Sequence, residues 1–251
     1  GDFSRLHWTL AHADTVTAVS QDMAHKVQMV SDRPAIVQKN VVDTDIFYPT
    51  KDVQAQAILR ESLGIAADEV VLGFSGELRE KKGQSFLLSA LTQVHAVRSA
   101  CLLIIGEVRS ESQAVIQAFN ANHPEAAGRI IVTGHLETPQ AVAPHLHLCD
   151  VFLLPSLWEG MPNALLEAMA CGRVCIASDA GGIPDVLSHG KNGFVLPRIH
   201  LHHLGDAVLE YLALGDQQKE EMAIAATQYI QHHHTLQHER EQLHSIIRKC
   251  F

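Results

Sequence analysis

The sequence predicts an α/β fold built on a doubly wound parallel sheet, with ligands expected at the carboxyl ends of its strands. Three observations predict it. From residue 70 onward, six short runs are nearly continuous in Val, Ile, Leu and Phe, as strands buried on both faces require. Segments with helical spacing separate these runs, and short glycine-containing loops lead from run to helix. The 251 residues give room for one large domain or two small ones, with enough core to need no disulfide staples. A content of 47% hydrophobic and 19% charged residues describes a globular chain and not a disordered one.

In chain order, Thr15–Val19 reads as a strand, Ser20 as the N-cap of a helix over Gln21–Val30, and Ala35–Gln38 as a second strand. This lone β-α-β piece has no sheet of its own, and two isolated strands are marginal in water, so it needs a host. Asp43–Asp52 reads as a linker and Val53–Leu63 as a helix entering the main domain. The strands of that domain are Val70–Ser75, Ala100–Gly106, Arg129–Gly134, Val151–Pro155, Val174–Ser178 and Gly193–Pro197. Gln84–Val97 sets Phe86, Leu87, Ala90, Leu91 and Val94 on one helical stripe, and Ser110–Asn122 and Pro139–Cys149 are patterned similarly. Ala207–Phe251 is helical in pattern and rich in Gln, Glu and His. Its run His232-His233-His234 points in three directions on a helix turning about 100° per residue, so it reads as an exposed polar face and not a metal site.

The net charge of −9 repels a phosphate backbone, which excludes a general nucleic-acid binder; an anionic ligand needs a local site. The 17 histidines make that charge strongly pH-dependent near about pH 6–6.5. Five cysteines, Cys101, Cys149, Cys171, Cys175 and Cys250, read as small hydrophobes in a reducing compartment and not as a disulfide framework. Cys171 and Cys175 lack the second pair that a zinc site requires. No stretch approaches the ~18 consecutive apolar residues of a membrane span, and the N-terminus lacks a signal-peptide pattern. The expected location is therefore cytoplasmic. The chain opens on Gly1 and not on methionine, which points to a piece of a longer protein.

The most informative segment runs from Ser156 to Gly172. A buried strand ends at Pro155, Pro162 stands where the first helical turn begins, and Gly172 closes the helix. Backbone amides over Gly160, Met161, Pro162, Asn163 and Ala164 border that helix end, where free N–H groups seat an anion such as a pyrophosphate. Glu159 precedes the seat, and Glu167 lies about a turn inside with its side chain tilted back toward it. An ionised carboxylate is an acceptor only, and sugars and riboses supply hydroxyl donors in pairs. A nucleotide diphospho-sugar therefore suits the constellation. By spacing alone, a helix-favouring Glu159 and a solvated Glu167 account for the two residues equally well. Gly76-Glu77-Leu78-Arg79-Glu80-Lys81-Lys82-Gly83 follows the first strand of the domain, where Arg79, Lys81 and Lys82 are either phosphate partners or a solvated charge run. Ser178–Asp185, with Gly181-Gly182, is a turn after the fifth strand.

Glu159 and Glu167 have E-x7-E spacing, set in Pro-Ser-x-x-Glu-Gly-Met-Pro and Leu-Glu-Ala-Met-Ala-x-Gly. With Lys82-Gly83, Thr133-Gly134, Gly181-Gly182-Ile183-Pro184 and Asn192-Gly193-Phe194 in order, the chain resembles retaining glycosyltransferases of family 4, which have the GT-B fold. Ala13–Ser20 and Asn40-Val41-Val42-Asp43 match the stretch before the donor domain, so the similarity runs through residues 11–215. The resemblance implies a Rossmann-like donor domain over residues 51–215. Residues 1–50 would be a remnant of the acceptor domain plus linker, and residues 216–251 would be helices crossing back toward that domain. It further implies that Glu159 contacts donor-sugar hydroxyls and Glu167 the ribose diol. Gly76 and Arg79 would line the phosphate site with the amides of Gly160–Ala164. Lys82 would stabilise the departing nucleotide diphosphate, and His135 and Leu136 would pass near the base. Glu159 and Lys82 are thus the catalytic candidates, with no metal and no cofactor expected.

Two departures from the family pattern stand out. Glu77 follows Gly76 where the family usually has Arg, so that Arg79 substitutes, Glu77 turns outward, or donor affinity falls. Val41 replaces a glycine in the Asn40–Asp43 motif. The implied partners are a nucleotide-sugar donor and an acceptor domain or partner chain, with no nucleic acid. Peripheral membrane contact would come only through the acceptor domain. Two classes of function follow: the donor half of a retaining glycosyltransferase, inactive without its acceptor half, or a non-catalytic, degenerate domain that partners another chain. A dinucleotide dehydrogenase is disfavoured, because the first β-α turn lacks G-x-G-x-x-G.

Overall fold

The computed structural model describes residues 3–250. Helix α1 (Phe3–His12), which the sequence pattern did not reveal, precedes β1 (Thr17–Ala18), α2 (Gln21–Ser31), β2 (Ile36–Val37) and α3 (Val53–Ser62). The main array follows as β3 (Val70–Ser75), α4 (Gln84–His95), β4 (Ala100–Ile105), α5 (Ser110–Asn122), β5 (Ile130–Val132), α6 (Pro139–Leu148), β6 (Val151–Leu154), α7 (Asn163–Ala170), β7 (Cys175–Ser178) and β8 (Gly193–Leu196). Three helices close the chain: α8 (Leu204–Ala213), α9 (Asp216–His233) and α10 (Leu236–Cys250).

The six main strands form one parallel sheet in the order β5-β4-β3-β6-β7-β8. This is the doubly wound Rossmann-like arrangement that the sequence predicts, with its topological switch between β3 and β6. β3, β4, β6 and β7 are almost wholly buried, which is why they read as unbroken apolar runs. The edge strands β5 and β8 are less buried, β5 most of all. β5 is three residues long against the six expected, and Val132 is 43% exposed, because an edge strand has a neighbour on one side only.

The N-terminal piece pairs β1 with β2 in a separate two-stranded parallel sheet. Its host is the main domain. Ser20 is fully buried beside Gly182, the Gln21 amide donates to Asp185 Oδ2 at 2.8 Å, and Gln242 on α10 accepts from the Lys39 amide at 2.9 Å. The segment expected as a linker is anchored just before it begins and again within its first half. The Val42 amide donates to the His234 carbonyl at 2.8 Å, and Phe47 is buried in the core.

Cys101, Cys149, Cys171 and Cys175 are free and buried, as small hydrophobes should be. Burial pushes the Cys101 and Cys171 thiols up to about 12, so neither is a nucleophile or a metal-ready thiolate. The side chain of Cys250 lies outside the described residues. Among the described residues, no helix is long and apolar enough to cross a membrane.

Candidate functional site

The switch point brings the loop after β3 and the loop after β6 side by side. Gly83, with φ of +78°, N-caps α4 at a spot where a Cβ would lie 2.0 Å from the Pro155 carbonyl oxygen. Only glycine satisfies both the backbone angle and the clearance. The Leu157 amide donates to the Lys81 carbonyl at 2.9 Å, and the Lys81 ammonium sits 5.6 Å from the centre of the Trp158 ring. Thus Lys81 packs on the neighbouring loop, and Lys82 turns inward.

Lys82 Nζ donates to Glu159 Oε1 at 2.7 Å, and Ser156 Oγ donates to the same oxygen at 2.7 Å. Ser178 Oγ in turn donates to the Ser156 carbonyl at 2.6 Å. Glu159 is 7% exposed, so its charge is compensated within the protein by one cation and one hydroxyl. This adjusts the expected division of labour. Lys82 and Glu159 form one unit, so a phosphate approaching Lys82 competes with the Glu159 carboxylate. Ser156 and Ser178 complete that unit; both stand in quoted motifs, but sequence gave no reason to single out their hydroxyls.

Pro162 is the N-cap of α7, one residue earlier than the helical position expected for it, and supplies no side-chain cap. Asn40 Nδ2 occupies the rim, donating to the Met161 carbonyl at 2.9 Å and to Asn163 Oδ1 at 2.8 Å. The Asn163 side chain therefore has a protein partner, and Asn40 is a site-shaping residue that its place in the linker motif did not announce. Gly160, Met161, Pro162, Asn163 and Ala164 otherwise lie together at the tip. Gly181 and Gly182 press against this loop from β7, with the Gly182 amide donating to the Gly160 carbonyl at 2.7 Å.

Glu167 is half-buried on α7, and burial pushes its carboxyl up to about 7. The folded chain then keeps a proton that the unfolded chain, with an ordinary value of 4.5, has released. Stability from this group consequently falls as pH rises from about 4.5 to 7. Glu167→Gln should flatten that slope and stabilise the unliganded chain by about 1–3 kcal/mol at pH 8, with little effect at pH 4.5. Urea denaturation at the two pH values checks this; equal stability changes at both would refute it.

Gly76 and Leu136 border a cavity of about 210 Å³ between the carboxyl ends of β3 and β4, which Glu77, Gly106, Glu107 and His135 also line. Glu77 is not a bare anion there. Arg79 pairs with it at 2.7 Å and Arg109, from the loop after β4, pairs with its other oxygen. The Arg109 hydrogen bond, with the charges of Arg109, Arg79 and Lys81, holds the Glu77 carboxyl below its usual value. Arg79 is therefore not a free cation at this loop, because Glu77 already engages its guanidinium. Arg109 went unnoticed because its partner is 32 positions away.

The histidine run also needs correction. His234 is fully buried, not exposed. Its Nδ1–H donates to the Asn40 carbonyl at 2.7 Å, so the residue that shapes the α7 rim is held by the α9 C-terminus. Met222, Ala226 and Ile230 are the buried residues of α9, and His234 continues their four-residue spacing. That periodicity is the signal that the three-directions argument overlooked. His234→Ala should lower stability by about 2–3 kcal/mol, through a lost buried hydrogen bond and a cavity. A chemical denaturation midpoint within error of wild type would refute it.

Residues 69–214, more than half of the chain, match the family model described as glycosyl transferases group 1. The alpha-maltose-1-phosphate synthase of Mycolicibacterium smegmatis is 28% identical over 193 residues, covering 73% of this chain and 48% of that protein. A GDP-mannose-dependent alpha-(1-6)-phosphatidylinositol monomannoside mannosyltransferase of Mycobacterium tuberculosis is 32% identical over 181 residues, covering 68% of this chain and 45% of that protein. The chain thus spans about half the length of the curated relatives it matches. Among solved structures, Anabaena HepE in complex with UDP superposes with a TM-score of 0.88 at 20% identity, covering 99% of this chain and 68% of that one. Sucrose-phosphate synthase of Thermosynechococcus elongatus gives 0.83 at 22% identity, covering 99% and 62%. The parallel-sheet fold matches that of GT-B glycosyltransferase C-terminal domains.

Proposed function

This chain belongs to the group 1 glycosyl transferases, and from that membership we propose that it is the donor half of a retaining glycosyltransferase of family 4. Its ligand is a nucleotide diphospho-sugar. The observation that carries the reading is the Lys82–Glu159 ion pair, 2.7 Å long, at the switch point of the sheet beside the α7 tip.

The residues divide the donor among them. Backbone N–H groups of Gly160, Met161, Asn163 and Ala164 at the tip donate to the phosphates, with Pro162 shaping the turn between them, the Glu159 carboxylate accepts from hexose hydroxyls, and Glu167 accepts from the ribose diol. Gly76, Leu136 and the cavity beside them receive the nucleoside. In the transfer, the bond between the anomeric carbon and the phosphate oxygen breaks, its electron pair leaving with the nucleotide diphosphate, and a bond from that carbon to the acceptor hydroxyl oxygen forms as the hydroxyl proton passes to the departing phosphate oxygen. The developing charge on the nucleotide diphosphate is met by Lys82, released from Glu159 as the sugar's hydroxyls take its place. Arg79 and Arg109 supply further positive charge at the rim, moderated by Glu77. The non-catalytic reading rests on Glu77 and on the missing half; the pairing of Glu77 with two arginines leaves no uncompensated anion to repel a donor.

The relatives' greater length supports a division into an acceptor-domain remnant over residues 1–50, the donor domain over 51–215, and returning helices over 216–251. The acceptor, and any contact with a membrane surface, belong to the missing half, and the expected location is the cytoplasm. UDP, GDP and ADP, with their sugars, are the ligands to test. At 100 times its dissociation constant, a ligand of the native state adds about 2.7 kcal/mol to stability. Thermal denaturation with each nucleotide should show that shift for one of them, and no shift with any would overturn the proposal.

A further inference from the structure

A second cluster of ligating groups lies outside the crevice. After β8, the segment Arg198–His203 forms a 3-10 helix that runs into α8. Leu201 and Leu204 are buried and fix its backbone, and His200, His202 and His203 project from it exposed. A 3-10 helix has about three residues per turn, so positions i and i+3 share a face. The ring centroids lie 6.1 Å (His200–His202), 6.3 Å (His200–His203) and 4.1 Å (His202–His203) apart, so all three rings gather on one side of this turn. One nitrogen from each ring lies within 4.8 Å of the other two. Three consecutive histidines on an α-helix, as at positions 232–234, achieve no such convergence.

A tetrahedral ion with metal–nitrogen bonds of about 2.0–2.1 Å needs its ligand nitrogens about 3.4 Å apart. Exposed imidazoles reach that spacing by side-chain rotation alone. An independent observation supports the same chemistry: His203 Nδ1 lies 2.8 Å from Asp206 Oδ2. The carboxylate accepts the Nδ1–H and thereby leaves the Nε2 lone pair free, the arrangement typical of a metal-bound histidine and its supporting carboxylate.

We propose that His200, His202 and His203 bind one divalent transition-metal ion of the zinc, nickel or copper class, with water completing its coordination. Imidazole nitrogens suit these ions, whereas magnesium and calcium call for oxygen ligands. The net charge of −9 favours the cation's approach. Arg198, in the same turn, donates to Asp179 Oδ1 at 3.0 Å and to the Leu157 carbonyl at 3.3 Å, which ties the turn to the loop carrying Glu159. Metal binding would stiffen that turn without entering the transfer chemistry, and the proposal stands independently of the donor assignment.

Titration calorimetry of zinc into the untagged chain at about pH 7.5 tests it, because protons compete with metal for imidazole and weaken binding in acid. One ion per chain is expected. Affinity should fall at least about tenfold in the His200→Ala/His202→Ala variant and by about tenfold in Asp206→Asn, and stay unchanged in His232→Ala/His233→Ala. Thermal midpoints of the metal-free variants, expected to match wild type, separate binding from folding. No zinc uptake by wild type, equal affinity in the His200/His202 variant, or loss in the His232/His233 variant would each overturn the proposal.

Discussion

Lys82→Ala is expected to reduce donor-dependent glycosyl transfer about 10²–10³-fold, the usual loss when one preorganised group that meets developing charge is removed. The same change strips Glu159 of its cation and leaves a carboxylate that is 7% exposed, still accepting from the Ser156 hydroxyl. Breaking a buried pair in this way costs about 2–4 kcal/mol, tempered because the Lys82 side chain is 21% exposed. Activity and stability therefore fall together in this variant, which by itself would not separate a site residue from a structural one. Glu159→Gln separates them. The amide oxygen still accepts from Ser156, and the freed ammonium can reach water, so stability should drop by only about 1 kcal/mol. Transfer should nevertheless fall by a factor comparable to that of Lys82→Ala, because the neutral amide accepts sugar hydroxyls more weakly than the carboxylate. Transfer assays on the chain joined to its acceptor half, alongside urea denaturation, measure both quantities. Near-wild-type transfer by Glu159→Gln would remove Glu159 from the machinery.

Gly181→Ala should be strongly destabilising, at about 3 kcal/mol or a melting temperature lower by about 6–10 °C. Gly181 has φ of +56°, and a Cβ on it would stand 2.0 Å from the Glu159 carbonyl oxygen and 3.0 Å from that of Gly160. The backbone of the Glu159 loop would have to retreat, taking Glu159 away from Lys82 and Ser156, so nucleotide-induced stabilisation should disappear as well. Gly190→Ala provides the comparison. Its φ is +73°, yet nothing lies within 4 Å of a Cβ there. It should therefore show only the backbone strain of about 1 kcal/mol. Equal melting temperatures for the two variants would show that close approach to Glu159 is not what Gly181 provides.

Much of the architecture was legible in the residues because its determinants are local. Strands buried on both faces must be apolar throughout, so β3, β4, β6 and β7 announce themselves, and helix spacing marks α4 and α5. Edges and short elements were less legible. β5 is exposed on one side, and β1 and β2 are two residues each, so neither carries enough pattern to fix its limits. At the site, Glu159, Lys82 and the α7 tip were legible through motif and position. The partners that give them their electrostatic state were not, since Lys82 and Glu159 are 77 positions apart and Arg109 and Glu77 are 32 apart.

Residue order alone thus fixed the parallel α/β class and the strands that build the sheet, because periodicity and turn chemistry act over a few residues. The pairing of charges across the switch point, the burial of His234 beneath the Asn40 carbonyl and the convergence of His200, His202 and His203 were decided only by the folded chain. Each depends on distance through space, and Coulomb and hydrogen-bond energies respond to that distance and to burial, not to separation along the sequence.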